Sequence, residues 1–176
     1  MLTKLLKKYI NKLFHNHLDM TSNNTFKILF VCLGNICRSS AAEEILRQKL
    51  KELGKDKEFF VDSAGLIDYH EGEKSDSRML RHAFSRGYRI THRSRPISIR
   101  DFLEFDWIIG MDNNNIRQLR QMAKGNAELC KIHKMTEFSH QYSVDSIPDP
   151  YYGSDSDFEY VLDLLEDACD GLISQL

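Results

Sequence analysis

The pattern of apolar and polar positions changes character along the chain. At the start Leu2, Leu5, Leu6, Tyr9, Ile10, Leu13 and Phe14 recur at helical spacing, with Lys4, Lys7, Lys8 and Lys12 between them. That pattern predicts a basic amphipathic helix, and the polar run Thr21-Ser22-Asn23-Asn24-Thr25 after it reads as a linker. From Phe26 to Leu33 the chain is apolar but for Lys27, as in a strand buried on both faces. Ala42, Ile45, Leu46, Leu50 and Leu53 then keep helical spacing, predicting a helix from Ser39 to Leu53 with Glu43 and Glu44 in its first turn and Gly54 as its stop. A strand from Phe59 to Ser63, a helix from Ser75 to Arg86 ended by Gly87 and a strand from Phe105 to Met111 follow. Next come a helix from Asn113 to Lys124, a weaker strand from Leu129 to Ile132 and a closing helix from Asp157 to Ile173. Alternation of this kind predicts an α/β domain over 26–176: a mainly parallel sheet of about four strands with helices on both faces. The N-terminal helix and linker, 1–25, stand outside it.

Composition narrows the class. With 176 residues, 41% of them hydrophobic and 28% charged, the chain can bury one core without staples. A formal net charge of -2 argues against a dedicated nucleic-acid binder, which needs a Lys/Arg excess on one face. No apolar run approaches the ~20 residues of a membrane span. Cys32, Cys37, Cys130 and Cys169 match neither paired zinc-ligand spacing nor a secreted disulfide framework, so a reducing, cytoplasmic setting is expected. Lysines interrupt each apolar stretch of the first segment, which fits neither a secretory signal nor, lacking Arg, a transit peptide. The segment suits a membrane surface, a second copy of the chain or its own domain. From His140 onward there is no Lys or Arg, and the acidic positions there read as a solvated helix face rather than a docking surface.

The chemistry concentrates where the first strand meets the next helix, in Cys32-Leu33-Gly34-Asn35-Ile36-Cys37-Arg38-Ser39-Ser40. Ligands of parallel sheets sit at that end of the strands. A thiol is a poor nucleophile until ionised, and this placement offers a helix N-terminus, the Arg38 guanidinium and inward-turned backbone N–H groups, all of which favour the thiolate. Five residues between Cys and Arg suffice to wrap three phosphoryl oxygens in successive amides. Gly34 and Asn35 both tolerate the left-handed backbone such a curl requires. Arg38 can hold two phosphoryl oxygens in its planar fork. A lone cysteine at a strand end is more commonly a core residue; the whole string in its strand-to-helix context turns the balance.

This string resembles the signature loop of the low-molecular-weight protein tyrosine phosphatase family. The resemblance extends from Phe26 to the C-terminus through Asp62-Ser63-Ala64-Gly65, His92-Arg93-Ser94-Arg95, the stretch from Asp106 to Asp112, and Asp149-Pro150-Tyr151-Tyr152-Gly153. It implies hydrolysis of phosphotyrosine in proteins, or of small aryl phosphates, through a phosphocysteine, with no metal and no organic cofactor. On that basis Cys32 is the nucleophile, Arg38 and the loop amides from Leu33 to Ser39 bind the phosphoryl group, and Asp149 is the general acid, delivered by a loop that Pro150 fixes. Ser39 would donate to the Cys32 sulfur and could also cap the helix. Asn35, Ser63 and His92 resemble the network supporting the loop. Tyr69, Tyr151 and Tyr152 resemble the aromatic rim of the cleft, with Leu33 and Ile36 as apolar walls. For Cys37 the family implies a reversible disulfide with Cys32. Ser40 departs from the family, standing where a proline commonly opens the helix, and the N-terminal extension is additional. Three rivals remain. A protein-arginine phosphatase typically has threonine at Ile36, a thiol-linked arsenate reductase needs relay cysteines, and a non-catalytic phosphate-binding docking module would usually have lost Cys32, Arg38 or Asp149.

Overall fold

The structure, a computed structural model, describes residues 25–176. The amphipathic helix expected at the N-terminus, and all of the linker but Thr25, lie outside the described residues. Strand β1, Phe26–Cys32, is the spine of a four-stranded sheet. It pairs in parallel with β2, Phe59–Gly65, on one side and with β3, Trp107–Gly110, on the other. Strand β4, Ile132–Lys134, pairs in parallel with β3, giving the order β2-β1-β3-β4.

The apolar run of β1 from Ile28 to Cys32 follows from this central place. Ile28, Leu29, Phe30 and Val31 are all fully buried, Ile28 and Phe30 in one core and Leu29 and Val31 in the other. The first core packs beneath helices α1, Arg38–Glu52, α2, Ser77–Ser85, and α6, Asp155–Ile173. The second packs beneath α3, Ile99–Glu104, and α4, Asn113–Met122. Full burial of each such aliphatic or aromatic side chain stabilises the fold by about 1.5–3 kcal/mol, so β1 anchors both layers and holds Cys32 at their shared upper edge.

The sequence pattern is met with local corrections. Helix α1 begins at Arg38, so Glu43 and Glu44 stand past its first turn, and Glu43 is buried. Its end is as expected: Gly54 takes φ +70° and donates to the Lys51 carbonyl while Lys55 N–H donates to that of Leu50. Helix α2 starts at Ser77 because Asp76 is its cap, accepting from Arg78 N–H at 2.8 Å. Leu129 belongs not to a strand but to the short helix α5, Asn126–Leu129, and β4 begins only at Ile132. Helix α6 starts at Asp155, two residues early, because Ser154 and Asp157 form a capping box. The acidic face of α6 is not simply solvated: Arg86 of the turn after α2 meets Glu159, Asp163 and Glu166, and Lys49 of α1 meets Asp170. No helix among the described residues is long and apolar enough to cross a membrane.

Candidate active site

Between the end of β1 and the start of α1 the chain curls with its carbonyls outward. Those of Cys32, Leu33, Gly34 and Ile36 accept from Leu66 N–H, Ile67 N–H, Ser94 Oγ and Asp76 N–H at 2.8–3.1 Å. The N–H groups of Gly34, Asn35, Ile36 and Cys37 donate to no partner among the described residues. A run of free donors beside carbonyls held from outside is an anion cradle. Asn35 alone takes the left-handed conformation, at φ 57°. Gly34, expected to share it, does not; glycine suits that position by proximity, since a Cβ would come within 3.1 Å of the His70 ring.

Asn35 is fully buried and uses its whole amide to hold the curl. Its Nδ2 donates to Ser39 Oγ and to Ser63 Oγ, each at 2.9 Å, and its Oδ1 accepts from Arg95 N–H at 3.0 Å with His92 Nε2 at 2.8 Å. Ser63 Oγ donates to Glu43 Oε2 at 2.7 Å, and His92 Nδ1 lies 2.9 Å from the same oxygen. Glu43, Asp62 and His92 bring ligand-type atoms within 4.8 Å of one another, but these atoms are spent on the loop: Asp62 accepts from Ser63 N–H and Arg95. Burial pushes the Glu43 carboxyl up, yet His92, Ser63 and Arg47 outweigh it and hold the group below the usual carboxylate range. A carboxyl depressed in the folded state contributes stability above its unfolded value, about 4.3, and loses it as pH falls through the folded value. Glu43→Gln is therefore expected to cost about 3 kcal/mol at pH 7. In denaturant titrations the gap from the parent should narrow on acidification into the carboxylate range; a gap independent of pH would show that the ionised group is not what stabilises.

Ser39 is an early residue of α1 rather than its cap, which is Cys37 with no side-chain bond. Its Oγ accepts from Asn35 and lies 3.0 Å from Cys32 Sγ, to which it can only donate once the sulfur is a thiolate. Ser40 partly replaces the missing proline, donating to the Cys37 carbonyl at 3.2 Å and accepting from Ser75 at 2.8 Å. Cys32 and Cys37 are both buried free thiols. Burial, and then the neighbouring Cys32 sulfur, push the Cys37 thiol well up, which leaves it a poor nucleophile.

Arg38 is almost wholly buried. Its Nη1 donates to Asp112 Oδ2 at 2.6 Å and to the Ile147 carbonyl at 3.1 Å, and its Nη2 donates to Asp149 Oδ2 at 2.7 Å. Burial works against its charge, but Cys32, Asp149 and Asp112 hold its pKa above the ordinary arginine value. Its buried Nε has no partner among the described residues. Asp112 went unremarked in the sequence as a site residue. It caps α4, accepting from Asn115 N–H at 2.7 Å, and its other oxygen orients the guanidinium. The available signal was its position just past the end of β3, the strand beside β1.

Asp149 is exposed, with Oδ1 accepting from Tyr151 N–H at 3.2 Å, while Pro150 is buried. Tyr151 is half-buried under the Arg78 guanidinium, which donates to its carbonyl at 2.9 Å, and the ring of the exposed Tyr152 lies edge-on to it at 4.9 Å. Tyr69 is exposed on the segment after β2, edge-on to His70. Leu33 is exposed beside the curl, but Ile36 is buried in the first core and offers little wall to a ligand.

A family model described as low molecular weight phosphotyrosine protein phosphatase matches residues 27–176. The human protein of that description is 38% identical over 148 residues, 81% of this chain and 90% of its own. A crystal structure of a protein tyrosine phosphatase from Entamoeba histolytica, with Hepes in the active site, is 43% identical with a TM-score of 0.84, covering 86% of this chain and 96% of that one. A structure titled Drosophila arginine phosphatase is 31% identical with a TM-score of 0.80, covering 85% of this chain and 97% of that one.

Proposed function

The chain belongs to the low molecular weight phosphotyrosine protein phosphatase family of cysteine-dependent hydrolases, and from that premise we propose that it dephosphorylates phosphotyrosine in proteins through a phosphocysteine on Cys32. The observation that carries this reading is the unpartnered, buried Arg38 Nε beside a ring of free backbone donors around the Cys32 sulfur. A buried donor without an acceptor is costly, and a phosphoryl oxygen would satisfy it.

In the first step the sulfur attacks phosphorus, an S–P bond forms and the P–O bond to the phenol breaks, with Asp149 giving its proton to the departing oxygen. The loop amides and Arg38 carry the charge of the equatorial oxygens, and Ser39 offers its proton to the sulfur, which eases departure in the second step. There a water attacks phosphorus, Asp149 takes its proton, the S–P bond breaks and phosphate leaves with Cys32 restored. For Asp149 to face either oxygen it must give up Arg38, whose Nη2 then turns to phosphate. His92 has no part in proton transfer in this scheme, because both ring nitrogens face acceptors on the far side of Asn35. The protective disulfide between Cys37 and Cys32 that the family resemblance implies would require the raised Cys37 thiol to ionise first.

The exposed Tyr69, Tyr152 and Leu33 favour an aryl substrate, since flat rings stack on such a rim. The likeness to the Drosophila arginine phosphatase supports phosphoarginine as the second reading. Phosphate release measured in chelator decides between them: phosphotyrosine should exceed phosphoserine and phosphoarginine peptides by about tenfold or more in kcat/KM. Preference for phosphoarginine would reassign the substrate.

A further inference from the structure

A groove of about 390 Å³ runs along the outer side of α2, where Leu80 and Phe84 face Tyr88 on the returning chain and Arg81 and Arg89 stand at the rim. Two features set it apart from ordinary surface. Phe84 is 70% exposed, and among the described residues the lining holds two guanidinium groups and no carboxylate, although Glu44 accepts from the Arg89 backbone N–H. Arg81 meets Asp155 at 2.7 Å, but both side chains are more than half exposed, so that pair exchanges readily for another acid. Arg89 makes no ion pair among the described residues and is exposed.

One end of the groove lies beside the phosphate loop. Ser77, at its near end, follows Asp76, whose N–H donates to the phosphate-loop carbonyl of Ile36 at 2.8 Å, and precedes Arg78, which holds the Tyr151 carbonyl. From Ser77 to Phe84 a helix rises about 10 Å, the reach of roughly three extended residues. A polypeptide whose phosphorylated side chain enters the loop can therefore lay its next residues along α2.

We propose that this groove docks the phosphoprotein substrate itself, taking an extended segment three to five residues from the phosphotyrosine, with an acidic side chain against Arg89 and an apolar one on Phe84. The proposal rests on the protein-phosphatase reading above and adds to it a preference in sequence context. Charge complementarity selects the acid, and the apolar floor selects its neighbour.

The test uses the full chain carrying Cys32→Ser and two labelled phosphotyrosyl peptides, one with Glu and Leu three to five residues away on both sides and one with Lys in place of Glu. The unphosphorylated pair is titrated alongside, which keeps the groove readout independent of the phosphate loop. The acidic peptide should bind about tenfold more tightly than the basic one, Arg89→Glu should erase that difference, and Phe84→Ser should weaken both peptides about threefold. Neither substitution should change turnover of phenyl phosphate by the Cys32 protein. Equal binding of both peptides, or binding unaltered by Arg89→Glu and Phe84→Ser, would overturn the proposal, as would a change only in sedimentation, which would make the groove a contact between copies. Failure of the parent to turn over phenyl phosphate would instead remove the active-site reading, with the unphosphorylated peptides still deciding the groove.

Discussion

Replacing Cys32 with serine is expected to abolish phosphate release, lowering kcat by about four orders of magnitude or more while the fold stands. The sulfur sits nearly buried at the end of the central strand, and its one side-chain hydrogen bond among the described residues is to the Ser39 hydroxyl at 3.0 Å. A serine hydroxyl is smaller and can accept the same bond, so thermal unfolding should move by only a few degrees, roughly what a 1 kcal/mol change produces. The chemistry is not so forgiving. A hydroxyl needs a base, and the one side-chain hydrogen-bond partner of the sulfur among the described residues is another hydroxyl, that of Ser39. That contact offers nothing that removes a proton from serine. Steady-state release from a phosphotyrosyl peptide, paired with calorimetric titration of inorganic phosphate, separates the two effects. Lost turnover with phosphate binding kept supports Cys32 as nucleophile, whereas activity within about a hundredfold of the parent would exclude it.

The parts of this molecule legible in its sequence are those that local physics dictates. An apolar run buried on both faces announced β1, and the Cys-to-Arg string after it announced the loop, because strand end, curl and helix start are contiguous in the chain. Helix α3 escaped notice because it is six residues long and its capping box uses Ser98 with Asp101, a pair that reads equally as a turn. The buried support was only partly visible. Asn35, Ser63 and His92 could be matched to a family pattern, but Glu43, which joins the last two, looked like a first-turn helix acid. Its role depends on the exact start of α1, and helix starts are what periodicity fixes least well. Asp112 stayed hidden for a related reason: nothing local marks it as a partner of the loop, and only the fold brings it to within 2.6 Å of Arg38 across 74 residues of chain. Gly34 shows the converse error, a correct residue credited with a backbone conformation that its neighbour adopts.

The general acid can be told from a merely charged neighbour, because proton donation matters in proportion to how badly the leaving group needs it. Asp149→Ala is expected to lower kcat/KM for phenyl phosphate, which reports the first step alone, about 10²- to 10³-fold, the range for loss of a positioned proton donor. With 4-nitrophenyl phosphate, whose phenolate departs far more easily, the loss should shrink to about tenfold, and with 2,4-dinitrophenyl phosphate nearly vanish. A second consequence follows from the resting geometry. Asp149 Oδ2 occupies Arg38 Nη2 at 2.7 Å, so removing the carboxylate frees a donor that a dianion would otherwise have to win. Phosphate should accordingly bind the variant more tightly, by about fivefold if the displaced pair is worth roughly 1 kcal/mol, as for a partly exposed ion pair. The two effects have opposite signs, with kcat/KM falling and affinity rising, and no loss of fold produces both. If the loss is instead the same for all three leaving groups, Asp149 acts only by orienting Arg38, and the proton must come from water.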